Sequence, residues 1–127
     1  MKMEIKSLKN IEVKSVEHTG EVLTIELLNG KKLTYDAVGD CCSTSYIESL
    51  DNPECLQNCI IFNVSVESGE QREIQGETHK WTFYKFTTSK GMCTLSFRNE
   101  SNGYYDGELA FNTEAAPMTT HPNPQGE

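Results

Sequence analysis

The chain reads as an α+β domain: a mainly antiparallel sheet of about six or seven strands with one short helix. Three observations predict this class. Apolar and polar residues alternate with period 2 through residues 11–14, 23–27, 33–36 and 92–98, as half-buried strands require. Turn signals at Asn29-Gly30, Ser68-Gly69-Glu70 and Ser89-Lys90-Gly91 keep most connections short, which favours antiparallel neighbours. Residues 44–50 alone have a helical look.

The elements follow in chain order. Ile11 and Val13 alternate with Glu12 and Lys14. Leu23, Ile25 and Leu27 alternate with Thr24 and Glu26, and Leu33 and Tyr35 with Thr34 and Asp36. A two-residue loop at Asn29-Gly30 would set Ile25 opposite Thr34 and mix both faces. A three-residue loop, Leu28-Asn29-Gly30, sets Ile25 opposite Leu33 and Leu23 opposite Tyr35, so one face becomes apolar. That register is expected, with a type I turn and Gly30 left-handed in a bulge. Tyr46, Ile47 and Leu50 stand at i, i+1 and i+4, so a helix is expected over Thr44 to Leu50. Asp40 or Ser43 would cap it, and Asp51-Asn52-Pro53 would end it.

Ile60 to Val66 is a β-branched run, followed by polar residues 69–79, expected to be a mobile loop. Trp81 to Thr87 reads as a strand with Trp81 and Phe83 on one face and Tyr84 and Phe86 on the other. Met92 to Arg98 returns, with Cys93, Leu95 and Phe97 on one side. Tyr104 to Phe111 gives a last strand. Residues 112–127 are expected to be a disordered tail, leaving residues 1–111 as a single α+β domain.

A chain of 127 residues has room for one core. Hydrophobic residues make up 36%, a low share, so a second copy is expected to cover part of the apolar surface. Lys plus Arg total 11 against 19 Asp plus Glu, a net charge of -8 that disfavours nonspecific nucleic-acid binding. No apolar run approaches the roughly 20 residues of a membrane helix. Residues 1–10 carry Lys2, Lys6 and Lys9 without an apolar core, unlike a secretory signal. The odd count of five cysteines then favours reduced thiols and a cytoplasmic location.

The most informative stretch is Phe97-Arg98-Asn99-Glu100-Ser101-Asn102-Gly103-Tyr104-Tyr105. Arg98, placed at a strand end, offers a planar fork for phosphate or carboxylate. Asn99, Ser101 and Asn102 add neutral donors and acceptors. Tyr104 or Tyr105, or Phe83 or Tyr84 from the aromatic strand, offers a ring on which a purine stacks. The plain alternative is an Asn-Gly turn with a surface arginine.

Gly39-Asp40-Cys41-Cys42-Ser43 admits three readings. Cys41 and Cys42 could hold a metal with Cys55 and Cys59, or act as a nucleophile with His18 or His79 as base. They could equally be small buried thiols in a tight turn. No P-loop, GxGxxG or HExxH is present, and neither cofactor nor metal is expected.

Taken together, the stretches 39–43 and 97–105 resemble a family of small phage and prophage proteins, the first Thoeris anti-defence family of signal sponges. The resemblance spans roughly residues 10–111. It implies a homo-oligomer, dimer or higher, in the cytoplasm of an infected bacterial host. It implies binding of cyclic ADP-ribose isomers made by TIR-domain proteins, held uncleaved between two copies. Some relatives are associated with cyclic oligonucleotides. The family more often has Ser where this chain has Glu100, and Gly where it has Asp106. A structural or protein-interaction domain is the alternative, with a zinc or thiol enzyme as an outside third.

Overall fold

The structure is a computed structural model that describes residues 4–39, 43–101 and 107–115. Eight strands form one sheet: β1 (Ile11–His18), β2 (Val22–Leu27), β3 (Lys32–Gly39), β4 (Ser43–Asp51), β5 (Cys59–Ile74), β6 (Glu77–Thr88), β7 (Gly91–Ser101) and β8 (Gly107–Ala115). Their order is β4-β7-β6-β5-β1-β2-β3-β8, and every neighbouring pair is antiparallel. Two 3-10 turns, Ile5–Ser7 and Pro53–Leu56, complete the described residues, which contain no α-helix. The antiparallel sheet agrees with the sequence; the strand count and the helix do not.

The expected helix is β4. Ile47 and Leu50 stand three apart, yet both side chains meet the core against Phe97 and Leu95. A β-bulge between Ile47 and Ser49 inserts Glu48 and restores the inward face one residue late. That extra residue turns a period of two into a spacing that looks helical. Ser43, Thr44, Tyr46 and Ile47 suit a pleated strand in any case.

The expected loop at 69–79 is a β-ribbon. β5 and β6 pair out to Ile74 and Glu77, and Gln75 (φ 52°) and Gly76 (φ 84°) make the turn. Most of residues 67–77 are exposed, so hydrophobic alternation is absent where neither face is buried. The strand expected from 104 is described from Gly107, and it runs to Ala115, taking in the first four residues of the expected tail. Thr113, Glu114 and Ala115 pair with Thr34, Leu33 and Lys32.

The β2–β3 hairpin has the expected register, Leu23 opposite Tyr35 and Ile25 opposite Leu33, with Gly30 at φ 90°. All four facing side chains are fully buried. The sheet rolls so that its halves meet across one core. Val13, Leu23, Ile25, Leu33, Tyr35 and Leu109 come from one half. Ile47, Ile61, Tyr84, Phe86, Cys93, Leu95 and Phe97 come from the other. Each large side chain removed from water contributes about 1.5–3 kcal/mol. Two hydrogen bonds close the roll: Ile47 N–H to Gly20 O at 2.8 Å, and Leu109 N–H to Tyr84 Oη at 3.0 Å. Gly107 sits at this seam, where an added Cβ would lie 2.0 Å from Ser45 Oγ and 2.8 Å from Val38 O.

Candidate functional site

On β7 the side chains alternate strictly. Phe97, Asn99 and Ser101 point inward and are 1–3% exposed, while Arg98 and Glu100 point outward. The ladder places Arg98 between Tyr46 of β4 and Trp81 of β6, and Glu100 beside His79. The bulge adds Glu48 to the same outer face.

Arg98 is therefore not at a strand end. It lies flat on Trp81, with Cζ 4.6 Å from the ring centroid. Its Nη1 donates to Glu48 Oε2 at 2.9 Å, and Trp81 Nε1 donates to Glu48 Oε1 at 2.9 Å. Its Nη2 meets His79 Nδ1 at 2.7 Å. A guanidinium can only donate, so His79 Nδ1 accepts and the ring proton belongs on Nε2, 3.8 Å from Glu77 Oε1. Arg98 Nε lies 3.5 Å from Glu100 Oε2, is buried, and makes no hydrogen bond among the described residues. Tyr46 Oη donates to Glu100. Burial, and then the Glu100 carboxylate, push the Tyr46 phenol up to about 12.

Two carboxylates, Glu48 and Glu100, thus flank one guanidinium, and a third, Glu77, lies beside His79. An incoming anion reaches the fork of Arg98 by displacing Glu48 or Glu100. Donor atoms of Glu77, His79 and Glu100 lie within 4.8 Å of one another, a spacing that can hold a cation. Here Arg98 supplies the positive charge, since its Nη2 already holds His79 Nδ1.

The expected site residues divide between the two faces. Arg98 shares the outer face with half-buried Phe83, which packs on the backbone of Gly69. Asn99, Ser101 and Tyr84 lie on the inner face and cannot meet a ligand that sits on Arg98. Asn99 Nδ2 donates to Ser45 Oγ at 2.8 Å, and its Oδ1 has no partner among the described residues. Asn102, Tyr104, Tyr105, Cys41 and Cys42 lie outside the described residues. Cys55, Cys59 and Cys93 are free thiols. Burial raises the Cys59 thiol and pushes Cys93 up to about 12.

Sequence reasoning missed Tyr46, Glu48, Glu77, His79 and Trp81 as partners of Arg98. Trp81 and His79 were open to detection, because a two-residue turn at Ser89-Lys90 pairs them with Arg98 and Glu100 by counting. Glu48 was hidden by its bulge.

No helix among the described residues is long and apolar enough to cross a membrane, which says nothing of a β-barrel. No curated protein and no solved structure matches the chain. One family profile does, over residues 4–111, and it covers every described strand except the end of β8. The chain therefore belongs to the family described as Domain of unknown function (DUF7448).

Proposed function

We propose that the protein binds a cyclic ADP-ribose-type signalling nucleotide without cleaving it, and so blocks a TIR-based bacterial defence against phage. One observation carries the reading: the Trp81–Arg98 stack stands on an outer sheet face that no element covers among the described residues. Tryptophan, tyrosine and arginine are the residues that dominate binding hot spots. A second copy laid on this face would enclose a ligand between two sheets. The side chain of Glu48 is 35% exposed and is the part of the cage that yields to a phosphate. Raised thiols at Cys59 and Cys93 are the opposite of activated nucleophiles, in keeping with binding without turnover. The resemblance of residues 39–43 and 97–105 to the signal-sponge family supports the ligand class.

A second reading, a protein-interaction face with no small ligand, draws on Glu48 and His79, which already occupy the fork. Calorimetry with cyclic ADP-ribose isomers separates the two. Arg98→Ala is expected to weaken binding by about 1–3 kcal/mol, and Arg98→Lys by a similar amount through loss of the planar fork. Ligand released on denaturation is expected intact by chromatography, and light scattering is expected to show an oligomer. Absence of binding favours the interaction face. Unchanged affinity in Arg98→Ala moves the pocket elsewhere, and cleaved ligand makes the protein an enzyme.

A further inference from the structure

A cavity of about 490 Å³ lies on the opposite side of the sheet from Arg98, between β8 and the inner face of β5 and β6. Its floor is two cross-strand pairs, Val66 opposite Tyr84 and Ser68 opposite Thr82. Its walls are residues 107–111 and the 3-10 turn around Ile5. β8 ends the sheet, so one of its edges has no strand beside it among the described residues. The cavity runs along that edge.

The backbone there has groups to offer. Leu109 N–H donates to Tyr84 Oη on the open side, and Ala37 N–H opposite it donates away from β8, to Glu21 O at 2.8 Å. Alternate residues of an antiparallel strand present their N–H and C=O on the same side. Leu109 C=O and Phe111 N–H therefore face outward as a neighbouring acceptor and donor. Tyr84 is 4% exposed, and its oxygen accepts from Leu109. Its own proton has no acceptor among the described residues. A buried hydroxyl proton left without an acceptor costs free energy, so the site favours a molecule that supplies one. Val66, on the floor, is 44% exposed although it stands on the core face of the sheet.

We infer that this cavity binds a neutral, planar heteroaromatic ring with adjacent donor and acceptor atoms, the chemistry of a nucleobase. The strand edge offers the matching acceptor and donor. Tyr84 donates to a ring nitrogen or carbonyl, and Val66, Leu109 and Phe111 supply apolar contact. The volume lies in the range of small-molecule sites, about 300–1,000 Å³. Glu4 and Glu108 outnumber Lys6 at the rim, which selects against anions. The inference is independent of Arg98, which lies on the other face.

Titration calorimetry of the full chain with adenosine tests it. Saturable binding is expected, weakened at least about tenfold by Val66→Trp, which fills the floor, and about threefold or more by Thr82→Val. AMP is expected to bind more weakly than adenosine, because its phosphate meets the rim carboxylates. Arg98→Ala is expected to leave adenosine affinity within about twofold while it weakens the signalling nucleotide, so the two sites fail separately. Melting temperatures verify that each variant folds, and Thr82→Val, which keeps the side-chain shape, carries the test should Val66→Trp unfold. No adenosine binding by the parent, or undiminished binding in the folded variants, overturns the inference.

Discussion

On the inward side of β7, Cys93, Leu95 and Phe97 meet apolar neighbours from both halves of the roll, and none is more than 1% exposed. On the outward side, one residue away each time, Arg98 and Glu100 join a polar cage with Tyr46, Glu48, His79 and Trp81. The same backbone carries both. The inner face is held by shape and by exclusion of water, so its residues exchange for others of like volume. The outer face is held by direction: Arg98 Nη1, Trp81 Nε1 and Tyr46 Oη each donate to a carboxylate, and no other side chain reproduces the fork of Arg98.

Truncation on the inner side tests this contrast most severely. Phe97→Ala is expected to cost about 3–5 kcal/mol, read from chemical denaturation, because the ring packs edge-on against Tyr84 at 6.1 Å and leaves a cavity. A loss under about 1 kcal/mol would show that the roll is loosely packed. The outer counterpart is smaller. Arg98→Ala is expected to cost about 1–2 kcal/mol, the sum of a cation–π contact and a partly exposed ion pair. A cost as large as that of Phe97→Ala would mean that the cage, and not the core, anchors β4 to the sheet.

The smallest effect is an alkaline one, and its onset differs between the faces. Burial holds the Cys93 thiol at about 12 instead of 9.0. The native state keeps this proton longer than the unfolded chain, so the thiol's stabilisation is complete below pH 9 and is lost as pH rises to about 12. Tyr46 behaves likewise from pH 10 to about 12. Denaturation curves measured from pH 8 to 11 are expected to fall less steeply for Cys93→Ala from pH 9 upward, and for Tyr46→Phe from pH 10 upward, than for the parent. Slopes that match the parent would place both groups in water.

The contrast between faces also explains what the sequence revealed. In β2, β3 and β7, where one face is buried and the strand is regular, alternation is legible, and the Ile25–Leu33 register follows from it. Where neither face is buried, as in residues 69–77, alternation carries no signal and the ribbon reads as a loop. Where a bulge inserts Glu48, alternation misleads, and β4 reads as a helix. Arg98 stood out by composition, but its partners come from β4 and β6. The inward turn of Asn99 follows from period 2 once β7 is known to continue to Ser101.

The pairing of β3 with β8 has a consequence for how the molecule is made. Asn112 Nδ2 donates to Asp36 Oδ2 across 76 positions of sequence, and on the edge away from β2 eight residues of β3 pair with residues between Gly107 and Ala115. During synthesis β3 leaves the ribosome before β4 to β7 and waits for β8 before that edge is closed. In the interval, Leu33 and Tyr35 have β2 beside them and an open ladder on the other side. Contacts so distant in sequence are won late and slowly. The nascent sheet is therefore most open to chaperones, and to pairing with other nascent copies, just before β8 arrives.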